Sequence, residues 1–538
     1  MEKYIELDPI SKGTYGQTFK VKYNDSIFCK KVYLIEDYQY GYTDDFIREV
    51  TLLSENYTLL AIHDVSINNT SVSDIYIIIE YYTNSLSYFI ENCKFNQKHL
   101  TSINVSNIIP SILQQLYNVH KIGFIHSDLK LENILEKDGN ICVCDWGLSE
   151  YYGYPKQIKK YHCSRYYKAP DNRISINVDL FGLGACIFYL LTGLSLGYKD
   201  TLHDIDIDRS FSIKRKLNIT EFKILKDIIK SEYARPSAKK ILMTYYNFIP
   251  VYSDNHMEQI SQLFDNSEMD IVESSYVYDD VFNKSQLKRV RFEKYTYNDI
   301  LHSKSFELDY LDDTFSYFYN HNLHGKPDTT KYDDALRNFL SYYVTINIDV
   351  NTILQSISIF NIIQHDIDFN KYRLSDITKI TLNYSCKLLE SSSYNIKLKN
   401  MELEHIIDIE FMIIDIFRKK KIEFIPYTFY IYYYITKIIQ KYSAYYQKNL
   451  QNLESISLSM LFIVIININK SNIINLHLLS LNIVIQAIYF IKNNKLDTSH
   501  DICKFIIRSF KTIPDIYITN IVEDILFRKY LTNTMDNV

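Results

Sequence analysis

"FIHSDLKLENIL", residues 124–135, sets four polar side chains at fixed spacing in an apolar frame: His126, Asp128, Lys130 and Asn133. Asp128 can accept a proton from an attacking hydroxyl, Lys130 two residues later can neutralise a transferring anion, and Asn133 can give an amide oxygen to a metal. Twelve residues past Asn133, "CDWG" at 144–147 supplies Asp145 as a second metal ligand, with Gly147 permitting a tight turn. One Asp and one Asn suit Mg2+, which keeps water and phosphate oxygens as its other ligands.

Upstream, "SKGTYGQTFKV" (11–21) is glycine-rich, and Gly13 and Gly16 would let backbone N–H groups approach phosphates. Taken alone it is equally well an ordinary turn. Fourteen residues after Gly16, Lys30 sits in the strand-like run "IFCKKVYL" (27–34), where it can point a cation at phosphates held beneath the loop. Glu49, on the helical stretch "DDFIREVTLLSEN" (44–56), supplies the partner that a half-buried lysine needs to stay charged and aimed.

Together these residues resemble a eukaryotic-type Ser/Thr protein kinase over residues 1–250, with an N-lobe at 1–82 and a C-lobe at 83–250. More narrowly they are similar to the cyclin-dependent kinases, through "KGTYG" (12–16), "KKVYL" (30–34), "TDDFIRE" (43–49), "DWGLSEYYGYP" (145–155), "KAPD" (168–171), the run containing Asp179, and "ARPSAKKIL" (234–242). The resemblance implies an α+β bilobal fold using ATP and Mg2+. It implies that Lys30 contacts the phosphates and pairs with Glu49, that Asp128 is the catalytic base assisted by Lys130, and that Asn133 and Asp145 hold the metal. Glu80 to Tyr82 would be the adenine-binding hinge with Ile79 as gatekeeper, and Asp171 would pair with Arg235. Thr14 and Tyr15 match positions at which such kinases are inhibited by phosphorylation.

The departures from that pattern are informative. Ser11 replaces the first loop glycine, and Trp146, the only tryptophan, replaces a phenylalanine, reading as a larger ring in the same internal stack. In related kinases three arginines bind a phosphothreonine of the activation segment; here Arg48 remains, while Ser127 and Glu150 occupy the other two positions. Residues 151–163 contain neither Ser nor Thr, Lys159 and Lys160 stand where the phosphothreonine would fall, and Ser164 reads as structural. Receptor and ligand are lost together, which is consistent because an arginine cluster without a phosphate repels itself. Lys159 or Lys160 is a candidate partner for Glu150.

Residues 251–330 are acidic, polar and turn-rich, and read as a partly ordered linker. From 335 to 531 apolar residues return at three and four with hardly any strand signal, so this half should be all-α. "ALRNFLSYYV" (335–344), "SCKLLES" (385–391) and "DIEFMIIDIF" (408–417) resemble cyclin motifs, and the resemblance implies one helical box at 331–445 and a fainter second at 446–538. It further implies that Lys387 and Glu410 pair and grip the backbone near the kinase αC helix, and that Leu336, Leu340 and Tyr343 offer a substrate-docking patch, although ordinary core packing explains those three equally well.

Composition bounds the rest. A net charge of -5 exerts no general pull toward nucleic acid or anionic membrane. Eight cysteines form no C-x-x-C pair, and Cys142 and Cys144 read as strand packing, so a reducing intracellular compartment, host cytoplasm or nucleus, is expected. The N-terminus lacks a secretory pattern, and the apolar region 456–491 is interrupted by Asn467, Lys470, His477 and Gln486, reading as buried helices. A bias toward Tyr, Ile, Asn and Lys suggests an AT-rich genome, and a fused kinase and cyclin would suit a large DNA virus. The expected function is a Ser/Thr protein kinase acting on protein substrates, switched on in cis by its own cyclin without activation-loop phosphorylation. The competing readings are a pseudokinase scaffold, or a kinase whose helices are a docking module.

Overall fold

The computed structural model describes residues 3–249 and 329–535, apart from 13–15, 34–40, 55–57, 68–74, 89–104, 152–162, 165, 171–174, 193–195, 197–216, 231–234, 347, 390–397, 399–400, 421–426, 442, 468–475, 514–517, 519–520 and 523. Gly13, Thr14, Tyr15, Lys159, Lys160 and Asp171 therefore lie outside the described residues, as does the expected linker up to 328.

The N-terminal part is a five-stranded antiparallel sheet of β1 (Ile5–Lys12), β2 (Gly16–Tyr23), β3 (Ser26–Tyr33), β4 (Ile62–Ile67) and β5 (Ile75–Glu80), in the order β1-β2-β3-β5-β4. Asn24 and Asp25 join β2 to β3 with φ of 45° and 64°. Two consecutive left-handed residues make the type I′ turn that matches strand twist, and it fixes the register. Lys30 thus stands opposite Phe19, and Lys31 opposite Thr18. Phe19 and Phe28 pack with Tyr23 and Tyr76 around a core of Tyr4, Val21 and Ile78. Gly16 is required by the strands themselves, because a Cβ there would lie 2.2 Å from the Val32 carbonyl oxygen.

Between β3 and β4, α1 (Asp44–Ser54) starts where the Thr43 hydroxyl accepts the Phe46 N–H at 3.3 Å, with Asp44 and Asp45 in its first turn. It buries Phe46, Ile47, Val50, Leu52 and Leu53, and with them the charged Arg48 and Glu49.

Below the sheet come β6 (Asn84–Ser85), α2 (Val105–His120), β7 (Phe124–Ile125), β8 (Ile134–Lys137), β9 (Asn140–Val143), β10 (Glu150–Tyr151), α3 (Asn177–Thr192), α4 (Ile219–Ile228) and α5 (Ala238–Tyr245). The β8–β9 hairpin carries Asn133 and Asp145 at its open end, and β7 pairs β10 through Ile125 opposite Glu150. Gly182 lets α3 lie against the catalytic loop, since a Cβ would sit 3.2 Å from Leu129. An Asn218–Glu221 capping box opens α4.

From residue 329 the described elements are all helices: α6 (Thr329–Ile346), α7 (Val350–Ile363), α8 (Leu374–Leu389), α9 (Leu403–Lys420), α10 (Phe429–Lys441), α11 (Ser443–Ile466), α12 (Leu476–Asn493), α13 (Asp501–Phe510) and α14 (Ile525–Met535). Two compact units divide the chain. One holds the described parts of Met1–Val251 and Gln355–Ile425, the other those of Phe315–Leu354 and Pro426–Val538.

In the second unit α10, α11 and α12 pack on one another, and the Tyr332 hydroxyl donates to the Ile465 carbonyl at 3.0 Å. Of the expected docking patch, Leu336 and Leu340 are buried and so do not present a surface, while Tyr343 is half-buried with its ring edge-on against Phe462 at 5.6 Å. Among the described residues α12 is the one helix long and apolar enough to cross a membrane, but 61% of it is buried within the fold. Cys29, Cys142, Cys144, Cys163, Cys186, Cys386 and Cys503 form no disulfide among the described residues, and burial pushes Cys142 up to about 12.

Candidate active site

The catalytic loop is built on one buried carboxylate. Asp179, from the first turn of α3, accepts the backbone N–H groups of His126 (2.8 Å) and Ser127 (2.9 Å) and faces His120 Nε2 at 2.8 Å. These bonds hold Ser127 at φ 70°, a left-handed conformation disfavoured for a non-glycine residue. His126 Nδ1 accepts the Asp128 N–H at 3.2 Å, so its ring proton is on Nε2, which donates to the Cys144 carbonyl at 2.9 Å. The imidazole thereby joins the catalytic loop to the metal turn.

Asp128 is buried and oriented from two sides. Lys130 Nζ donates to its Oδ2 at 2.5 Å, and the Ser164 N–H donates to its Oδ1 at 2.7 Å. Ser164 thus meets Asp128 through its backbone. Burial pulls the Lys130 ammonium down, but the bond and charge of Asp128 outweigh it and leave Lys130 above its ordinary value. Asn133 donates its amide to the Asp128 carbonyl at 3.0 Å, which commits the NH2 group to the protein and leaves the amide oxygen for another partner. Asp145, itself left-handed at φ 64°, opens the turn in which Trp146 is fully buried. The indole donates to the Val143 carbonyl at 3.1 Å and packs edge-on against His126, the larger ring in the stack that the sequence suggests.

The lysine paired with Glu49 is Lys31, not Lys30. Lys31 Nζ lies 2.6 Å from both Glu49 Oε2 and Asp145 Oδ1. Lys30 points to the other face of the sheet, where it pairs with Glu6 at 2.6 Å and lies 4.5 Å over the Tyr76 ring. The cause is strand periodicity: a one-residue step reverses the face, and the hairpin register puts Lys30 with Phe19 on the outer one. Burial alone would lower Lys31, but Asp145 and Glu49 raise it well above its usual value; Lys31 in turn holds Asp145 below the ordinary carboxylate range against the opposing effect of burial. Glu49 Oε2 also accepts the Tyr33 hydroxyl at 2.6 Å, a contact the motif pattern did not indicate.

On the same inner face, buried Ile79 stands opposite Cys29. Glu80 ends β5, pairing with Lys137 at 2.9 Å, and Tyr82 follows in the connection to β6. Arg235 is buried, donating to the carbonyls of Lys230 (2.7 Å) and Asn177 (3.1 Å).

Arg48 is the buried cation of α1. Its guanidinium reaches Glu150 at 3.9 Å and Asp44 at 4.0 Å, while Nε donates to the Lys387 carbonyl at 3.1 Å. That carbonyl lies in the last turn of α8, where intrahelical donors run out and the helix dipole is negative. Glu150 therefore faces Arg48. The Ser127 hydroxyl is buried and makes no hydrogen bond among the described residues.

Lys387 and Glu410 do meet. Lys387 Nζ donates to Glu410 Oε1 at 2.6 Å, Asn383 adds a bond at 3.3 Å, and Glu410 Oε2 accepts the Tyr42 N–H at 2.6 Å, just ahead of α1. Gly41 makes that approach possible, with φ 93° and its absent Cβ only 2.3 Å from Oε2. Full burial pushes the Glu410 carboxyl up, with Lys387, the Tyr42 N–H and Asn383 pulling it back. Thr51 and Tyr384 meet hydroxyl to hydroxyl at 3.4 Å, adding a further contact between α1 and α8.

Residues 4–267 match the protein kinase domain. The chain therefore carries a protein kinase domain followed by an all-helical region. Among the described residues no group of three His, Cys, Asp or Glu side chains could hold a metal ion.

Proposed function

We propose that the chain is an ATP- and Mg2+-dependent Ser/Thr protein kinase whose α8 and α9 act as a cyclin in cis, holding α1 in its working position without a phosphate on the activation segment. The observation that carries the reading is the joined set of Lys31, Glu49 and Asp145 at 2.6 Å beside an Asp128 held by Lys130 and Ser164. A scaffold that had abandoned catalysis would have no need to keep two buried charged groups, Lys31 and Glu49, paired at such cost.

Asp128 orients and deprotonates the substrate hydroxyl, Lys130 sits beside it to offset charge on the transferring group, and Lys31 engages the nucleotide phosphates. The donor set fits Mg2+: one carboxylate from Asp145 and one amide oxygen from Asn133, whose NH2 is already committed to Asp128. Bound there, the ion would neutralise phosphate charge. The grip of Glu410 on Tyr42 N–H and of Arg48 on the end of α8 supports control of α1 by the helical region.

The test is transfer of the γ-phosphate from ATP to a Ser/Thr peptide by the full chain, with intact-mass measurement of the enzyme. Activity without activation-segment phosphate is expected, and Asp128→Asn should lower the rate by about 10²- to 10⁴-fold. An inactive parent, or a variant as fast as the parent, would refute the reading.

A further inference from the structure

We infer that Tyr33 is a positioning residue of the phosphate-facing lysine: its hydroxyl fixes the Glu49 carboxylate from the sheet, through a bond that a nucleotide does not compete for. The inference rests on the kinase reading for its consequence, but not for its geometry. Tyr33 and Lys31 are two residues apart on β3, so strand alternation turns both to the same face. Both reach the same oxygen, Glu49 Oε2, at 2.6 Å. Glu49 is 1% exposed and Tyr33 is 3% exposed, so neither group has water as a substitute partner.

Lys31 divides its ammonium between Glu49 and Asp145. Phosphate oxygens would draw on the same ammonium, and any lengthening of the Lys31–Glu49 contact would leave a buried carboxylate short of a donor. Tyr33 removes that liability. Burial and the neighbouring Glu49 charge raise its hydroxyl well above the ordinary value, so it remains a donor at any working pH.

The ring is fixed as firmly as the hydroxyl. Tyr33 meets Phe46 of α1 edge-on at 4.9 Å, and Phe46 stacks on Tyr42 at 4.5 Å, the residue whose N–H Glu410 holds. A path of packed rings thus runs from the Glu49 carboxylate to the clamp, and Tyr33 is where the path meets the catalytic group.

Tyr33→Phe in the full-length chain keeps the ring and removes only the hydroxyl. Affinity for a fluorescent, non-hydrolysable ATP analogue is expected to fall on the order of ten- to a hundredfold, the range for a hydrogen bond to a buried charge. Hydrogen exchange of residues 44–54 should quicken. The decisive measurement is the cycle with Glu49→Gln: in that background Tyr33→Phe should cost less than threefold, because its partner charge is gone. Affinity within twofold of the parent, or an equal loss in both backgrounds, would overturn the inference. If the parent binds no nucleotide, the kinase reading fails, and the same cycle read on hydrogen exchange of α1 still decides the role of Tyr33.

Discussion

Replacing Glu410 by Gln tests whether the helical region controls α1. Glu410 is fully buried and the Lys387 side chain is 6% exposed, so the change strands an ammonium beside a neutral amide and weakens the acceptor for Tyr42 N–H. Breaking a buried pair costs about 3–5 kcal/mol, and the retained amide oxygen discounts this to about 3 kcal/mol. At about 1.4 kcal/mol per decade, an α1 equilibrium poised at balance would lose roughly 75-fold in active molecules. If the parent favours the working position by about 1 kcal/mol, the loss falls to about 25-fold. Initial rates on a short peptide, with hydrogen exchange of residues 42–54, measure both. Lys387→Met with Glu410→Leu separates the clamp from the fold, since an apolar pair of similar volume restores stability but offers Tyr42 no acceptor. A Glu410→Gln rate within threefold of the parent, with α1 exchange unchanged, would refute control through this contact.

Lys31→Met should abolish transfer, whereas Lys30→Met loses one partly exposed pair with Glu6, worth about 0–1 kcal/mol, and should keep most of the activity; parallel rate measurements decide between the two lysines. Asp45 gives a pH dependence of stability: burial, with Asp44 and Glu49 nearby and Arg48 and Lys31 opposing, lifts it from 3.8 to about 6. The folded state then binds more protons than the unfolded chain between about pH 4 and pH 6, so this group lowers stability as pH rises through that window. Asp45→Asn should accordingly raise the melting temperature at pH 7.5 and leave it nearly unchanged at pH 4, and an equal effect at both would show that the shift is absent. Glu150→Arg places two guanidinium groups where a pair now stands at 3.9 Å and should slow the enzyme by about tenfold, while Glu150→Asp should cost less; peptide rates check the order.

The constellation around "FIHSDLKLENIL" was legible because its geometry is local. Asp128, Lys130 and Asn133 lie within six residues, so their spacing alone nearly dictates their relation. The Lys387–Glu410 pair was legible for a different reason, as two residues on successive helices each carrying a motif. Lys31 was misread because two adjacent lysines make motif spacing degenerate. The missing information was present as Asn24–Asp25: a two-residue turn there puts Lys30 opposite Phe19, on the outer face, and leaves Lys31 on the inner one. Tyr33 follows from the same alternation. Leu336 and Leu340 were ambiguous because an apolar helical stripe reads alike whether it faces a partner or a core, and only the packing of α6 distinguishes them.

The surroundings of Arg48 sharpen what Ser127 does. Arg48 is already met by Glu150, Asp44 and the C-terminal end of α8, so the arginine has anionic partners supplied by the chain itself. Among the described residues, a phosphate brought to this place would meet one arginine, a carboxylate at 3.9 Å from it, and a serine whose buried hydroxyl has no partner there. Attraction and repulsion there nearly cancel, so little binding energy remains to order a segment. The same guanidinium contacts the strand after the metal turn and the end of α8, which makes it sensitive to the helices in a way that a phosphate receptor is not. Under the proposed function, this charge arrangement predicts that removing the seating of α8 and α9 on α1 changes the rate, whereas modification of residues 152–162 does not.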